Sequence, residues 1–211
     1  MKPSVFIAMP CYDSVKINTM ISVVKLIQQL GKSGIQVGIN TMKSPLIHQA
    51  RNYLTSIFLT TEYQYMLFID SDVGFEPEAV VRMMVAKKNI VCTPYRVKEE
   101  DPSTNVYTVQ FKDPKIIPIL PGGLVEIIKN HPDLKIKNKA TPNAGKSHEF
   151  YYNFFDFSFN DGYAMGEDVS FCRLARDNGF KIYANIESPT SHQGEYAWVG
   201  KFGDSLEKKP T

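Results

Sequence analysis

Over the first ninety residues, short continuous apolar runs alternate with apolar stripes at helical spacing. Ser4 to Met9 is β-branched and aromatic and is stopped by Pro10, the pattern of a strand buried on both faces. Val15 to Leu30 carries Ile17, Ile21, Val24, Leu26, Ile27 and Leu30 at helical spacing, with Gly31 placed to cap its end. Strand patterns at Ile35 to Ile39, Tyr65 to Ile69 and Asn89 to Cys92 are separated by helix patterns at Leu46 to Thr60 and Pro77 to Ala86. Strands that alternate with helices need crossover connections. The expectation is therefore an α/β fold of Rossmann-like style, with a mixed, mostly parallel sheet flanked by helices.

The second half is punctuated differently. Between Glu99 and His148 the alternation is lost and prolines interrupt short runs such as Val106 to Phe111. Pro121-Gly122-Gly123 predicts a turn opening a short helix around Leu124 to Lys129, and the aromatic run Phe150 to Phe159 predicts a strand. A helix over Gly166 to Asn178, a last strand at Phe180 to Ala184 and a polar tail or linker from Lys201 to Thr211 complete the reading, with further domains possible beyond the tail. The whole predicts one domain over residues 1–200, with a first half to about residue 95 and an irregular second half from about residue 96.

Composition narrows the class. A chain of 211 residues is long enough for one well-buried domain, and a formal net charge of +2 provides no basic footprint for nucleic acid. Cys11, Cys92 and Cys172 are far apart and read as small buried hydrophobes, which points to a reducing, cytoplasmic setting. No secretory pattern opens the chain, and no apolar run approaches the roughly 20 residues of a membrane span.

The densest chemistry lies in Met66-Leu67-Phe68-Ile69-Asp70-Ser71-Asp72, a buried strand ending in two carboxylates. Open α/β sheets bind ligands outside the carboxyl ends of their strands. For the two acids to act together the chain is expected to turn at Ser71, and Val73 to Pro77 is read as supplying such a turn. Two hard oxygen donors suit magnesium or manganese, while the same acids could instead cap the helix that Pro77 opens.

Four further groups carry candidate chemistry. The loop Pro10-Cys11-Tyr12-Asp13 offers an aromatic face and a carboxylate for a nucleoside, or Asp13 or Ser14 as a helix cap. Arg51, within His48-Gln49-Ala50-Arg51-Asn52, could grip a diphosphate or orient Asp70 or Asp72, or simply be a solvated surface residue. Glu167 and Asp168 open a helix, where they could serve as cap or as general base. His192, read as a loop residue, could swing onto a metal. Ala140 to Ser147 mimics a P-loop but lacks both the strand before it and the helix after it, so it reads as a glycine-containing loop.

Taken in order, Phe6 to Tyr12, Ala50-Arg51-Asn52, Phe68 to Asp72, Gly122-Gly123, Gly166 to Arg173 and His192 resemble the GT-A family of nucleotide-sugar glycosyltransferases. The likeness is to the small glycosyltransferase domains of bacteria and large DNA viruses, of the chlorella-virus type, which would place a viral member in the host cytoplasm. It implies a GT-A fold with a nucleotide-sugar-binding half followed by an acceptor-binding and catalytic half. It implies Asp70, Asp72 and His192 at a manganese or magnesium site, with Asp72 the direct ligand and Asp70 acting through ribose or metal-bound water. Pro10, Cys11, Tyr12, Asp13 and Asn40, at the end of the second strand, would hold the nucleoside. Arg51 would steady the Asp-x-Asp turn or the diphosphate, and Ser71 and Asp70 would be among the cofactor-binding residues. Asp168 would be the general base if the anomeric centre inverts, with Glu167 as its neighbour or substitute.

The expected activity is thus metal-dependent transfer of a sugar from a UDP-sugar donor to a hydroxyl of a glycan acceptor. A nucleotidyltransferase acting on sugar phosphates would also use paired aspartates. It would want a basic, Gly-rich first loop, which Pro10 to Asp13 is not. A non-catalytic carbohydrate-binding module built on Tyr151 to Phe159 and Trp198 is the reading from a different class.

Overall fold

The computed structural model describes residues 3–99, 106–109, 120–126, 153–160, 163–194 and 196–206. It is a mixed α/β structure whose chain divides into two compact units. The first comprises residues 1–15, 30–71 and 131–179, and the second residues 16–29, 72–130 and 180–211. One of the points where the chain passes from the first unit to the second lies between Ser71 and Asp72.

The first unit is built on a parallel three-stranded sheet in the order β2 (Gln36–Lys43), β1 (Ser4–Cys11), β3 (Tyr65–Phe68). Every residue of β1 is buried, which explains its unbroken apolar run. The strand continues two residues past the expected end because Pro10 still pairs with Met42 of β2. Ala8 accepts the Ile69 N–H. The next bond of that ladder needs an N–H from Pro10, which has none, so pairing with β3 stops there. Asn40, expected at the end of β2, lies within it opposite Ala8.

Helix α2 (Ile47–Leu59) packs on this sheet, with Leu54 joining Phe6 and Ala8 in a core edged by Met42, Phe58, Tyr63 and Phe68. Gly38 is required here, because a side chain would strike the Tyr63 ring that lies against β2. The same unit holds a hairpin of β7 (Ser158–Asn160) and β8 (Tyr163–Met165), then α4 (Glu167–Asp177). The predicted strand at Phe150 to Phe159 is strand only from Ser158 among its described residues.

The second unit holds two small sheets. In one, β10 (Thr190–Gln193) lies antiparallel between β4 (Val73–Phe75) and β11 (Ala197–Gly200). The chain turns at Ser71-Asp72, as expected at Ser71, but Val73 to Phe75 is a strand and not part of that turn. In the other, β9 (Ile182–Asn185) lies between β5 (Ile90–Cys92) and β6 (Leu124–Glu126), parallel to the first and antiparallel to the second. Leu124 to Glu126 was expected to be helical. Gly122 and Gly123, both at positive φ, instead turn the chain into a strand, and Glu187 packs where a Gly123 side chain would be. Nor is β9 the last strand, since β10 and β11 follow it.

Helix α1 (Ile17–Lys32) contributes Ile17–Gln29 to this second unit, and its buried face differs from the apolar stripe. Thr19, Ser22, Val23 and Leu26 are buried while Ile17, Ile21 and Val24 are exposed. Ser22 belongs inside because its Oγ accepts the N–H of Phe75 on β4. Helix α3 (Pro77–Val85) starts with proline as expected. The segment after Lys201 forms a 3-10 helix, Phe202–Ser205, rather than a polar tail. Phe202 packs with Tyr107, Ala184 and Ile186 in this unit's core. The P-loop-like stretch 140–147 and residues 207–211 lie outside the described residues.

Candidate functional site

In the first unit, Arg51 on α2 joins two distant acids. Its Nη2 donates to Asp70 Oδ1 at 2.7 Å, and its Nε donates to Glu167 Oε1 at 3.2 Å. The guanidinium lies 5.1 Å from the Phe68 ring centroid and 5.9 Å from that of Phe155. A planar, always-charged group with donors on two edges can serve both carboxylates and lie over aromatic faces at once, which lysine cannot do. Arg51 is thus not a solvated surface residue.

The neighbouring Asn52, fully buried, acts as a clamp. Its Nδ2 donates to Asn153 Oδ1 and the Phe155 carbonyl, and its Oδ1 accepts the N–H groups of Phe154 and Phe155. Phe155 then stacks on Phe171 of α4 with centroids 4.7 Å apart. Adjacent residues of one helix therefore fix both the segment before the hairpin and the start of α4.

Glu167 and Asp168, consecutive at that start, have separate environments. Glu167 is buried and paired to Arg51, whereas Asp168 is exposed and accepts the N–H of Val169 at 2.7 Å. Of the two, Asp168 is the one accessible to a substrate.

The first-strand loop is open to solvent. Cys11 is buried with its Sγ donating to the Ser14 carbonyl, and Tyr12 is 73% exposed. Asp13 caps no helix, since α1 begins at Ile17. It instead accepts from Lys43 Nζ at 2.7 Å, and that bond and charge hold its carboxyl below the usual range. Tyr12 is left presenting an aromatic face.

In the second unit, Asp72 and His192 are brought together. His192 is not in a free loop but in β10, opposite Val73 of β4 and Trp198 of β11. The backbone N–H of Gln193 donates to the Asp72 carbonyl, locking the turn to the strand. His192 Nε2 lies 3.4 Å from Asp72 Oδ2, and its Nδ1 lies 2.8 Å from the Arg96 carbonyl oxygen. A carbonyl only accepts, so Nδ1 carries a hydrogen, and in the neutral ring Nε2 presents its lone pair toward the carboxylate. Tyr95 packs edge-on against the imidazole, with centroids 4.8 Å apart.

Two lone-pair donors facing each other call for a proton or a cation between them. Lys98 supplies one positive charge: its Nζ is 2.5 Å from the same Asp72 Oδ2. Burial raises the Asp72 carboxyl, but the bond from Lys98 and, when Nε2 also carries a proton, that from His192 outweigh it and hold it at about 2. Sequence reasoning missed Lys98. The alternation Tyr95-Arg96-Val97-Lys98 marks an extended segment but carries no sign of which carboxylate it meets.

Of the three expected metal ligands, Asp72 and His192 are neighbours, and Asp70 belongs to the other unit as the partner of Arg51. Among the described residues, no group of three or more His, Cys, Asp and Glu side chains could by itself hold a metal ion. The oxygen and imidazole donors of Asp72 and His192 nevertheless suit manganese, with water and substrate phosphate as the remaining ligands. Among the described residues no helix is long and apolar enough to cross a membrane.

No protein-family model matches the sequence, and neither does any curated protein sequence. Among solved structures, the chain is similar to the crystal structure of A197 from STIV at 18% sequence identity, with a TM-score of 0.52. The likeness covers 99% of this chain and 98% of that one, and at this identity it concerns the fold alone.

Proposed function

We propose that this chain is a metal-dependent glycosyltransferase of the GT-A fold, transferring a sugar from a UDP-sugar to a hydroxyl of a glycan acceptor. The observation that carries the reading is the pairing of Asp72 with His192, whose Nδ1 is held by the Arg96 carbonyl so that Nε2 is free to bind a cation. A parallel β2-β1-β3 sheet with a solvent-open loop after β1 supports a nucleotide-binding half. The exposed face of Tyr12 suits the base.

Asp72 and His192 would hold the metal, which as a Lewis acid would stabilise charge on the departing diphosphate. Asp168, accessible at the N-terminus of α4, would take the proton of the attacking acceptor hydroxyl. Glu167 would not share that task. Its bond to Arg51 fixes where α4 begins and so where Asp168 stands.

The test is turnover of a UDP-sugar, by hydrolysis or transfer, with manganese present. Turnover that disappears in a folded Asp72→Ala variant supports the reading. Turnover that survives that change removes Asp72 as metal ligand.

A further inference from the structure

The Lys98 ammonium and the proposed metal would use the same oxygen. Lys98 Nζ is bound to Asp72 Oδ2, and that oxygen is also the one facing His192 Nε2. A divalent ion bound there would sit about 2 Å from the carboxylate oxygen and within a few ångströms of the ammonium. At that separation two like charges in a half-buried site repel by far more than the thermal energy. Both cations cannot remain.

The way the two side chains are held decides which one moves. Asp72 is fixed through the Gln193 N–H, and His192 by its place in β10 and its bond to Arg96. The Lys98 side chain is 33% exposed, on a flexible four-carbon stem. Its backbone neighbours Val97 and Glu99 are tied down by Val97 N–H to the Val106 carbonyl and Glu99 N–H to the Val97 carbonyl. The ammonium can leave the carboxylate without disturbing either ligand or the chain that carries it.

We propose that Lys98 is a tethered cation that occupies Asp72 in the metal-free protein and is displaced when a divalent metal binds. The proposal rests on the reading of Asp72 and His192 as metal ligands. In the metal-free state the ammonium neutralises Asp72. In the loaded state it is released, so metal affinity is set partly by a competition internal to the chain. Such a site binds metal more weakly than its donors alone would allow.

The experiment is manganese binding to the nucleotide-free protein, followed by calorimetry and by the electron paramagnetic resonance of free Mn2+. Lys98→Met keeps the stem and removes the charge; Lys98→Arg keeps the charge. Lys201→Met, which removes a lysine paired with Glu187 rather than Asp72, controls for net charge. Lys98→Met is expected to bind manganese at least tenfold more tightly than the unsubstituted protein, with Lys98→Arg and Lys201→Met within about twofold of it.

Equal affinity in Lys98→Met and the unsubstituted protein, with binding abolished by Asp72→Asn, overturns the competition and leaves the metal site standing. Equal tightening by Lys201→Met also overturns it, since net charge then suffices. Manganese binding that ignores Asp72→Asn, or that is absent from both the unsubstituted protein and Lys98→Met, overturns the metal reading and the proposal with it.

Discussion

Arg51 Nη2 donates to Asp70 Oδ1 at 2.7 Å, so the helix after β2 holds the acid that follows β3. The Arg51, Asp70 and Glu167 side chains are only 13%, 24% and 11% exposed, so removing the cation leaves two poorly solvated carboxylates. Breaking a buried pair by removing one partner typically costs 3–5 kcal/mol, and partial exposure lowers that. Arg51→Met is expected to lose about 3 kcal/mol in urea unfolding, and Arg51→Lys to recover less than half. Full recovery by lysine would mean that charge alone matters.

Asn52 uses both amide hydrogens and accepts two N–H groups, and its own side chain is fully buried. Asn52→Ala is expected to cost about 3 kcal/mol, because buried amides lose their partners at roughly 1–3 kcal/mol each. Hydrogen exchange should localise the damage to residues 153–155, and an unchanged exchange pattern there would refute the clamp.

Much of this framework was legible in the sequence and some was not. Of the elements through β5, all but β4 follow from apolar periodicity, because runs buried on both faces and proline-opened helices are local signals; β4 is three residues long and is a strand through its pairing with β10. The buried face of α1 was misread because Ser22 is inside for its bond to Phe75, a contact 53 residues away in sequence. Leu124 to Glu126 was misread because its strand character comes from pairing with β9 and from two positive-φ glycines, not from its own pattern. The joining of Arg51 to Glu167 spans 116 residues, so no local rule reveals it. What the sequence did carry was the pair of acids that follows the β3 run, Asp70 and Asp72; His192 was singled out as a loop histidine, and its place inside β10 comes from pairing with β4 and β11.

Glu167 and Asp168 are expected to respond differently to neutralisation. Asp168→Asn should leave UDP affinity and stability nearly unchanged while transfer falls by at least a hundredfold. Glu167→Gln should lower the unfolding midpoint and reduce transfer less. Parallel loss of UDP affinity and rate in Asp168→Asn would make that residue a donor contact instead of a base.

Asp72 should make stability depend on acidity in a defined window. With a second proton on the His192 ring, the Asp72 carboxyl lies at about 2 instead of 3.8, burial being outweighed by bonds from His192 and Lys98. A depressed folded value stabilises the protein fully above about pH 4, and that contribution is lost as the pH falls through about 2. The shift is equivalent to about 2 kcal/mol. The unfolding free-energy gap between the unsubstituted protein and Asp72→Asn should be about that size at pH 6 and shrink by half or more by about pH 2. A gap independent of pH would mean that the ion pair contributes nothing net.

On the proposed reading, this chain binds a nucleoside diphosphate through a divalent cation held by Asp72 and His192. Calorimetric titration with UDP, with manganese and then with a chelator, tests it most directly. UDP is expected to bind at least tenfold more tightly with manganese, and that enhancement is expected to be lost in both Asp72→Ala and His192→Ala. UDP binding of equal strength with and without the metal, or no binding in either case, would contradict it.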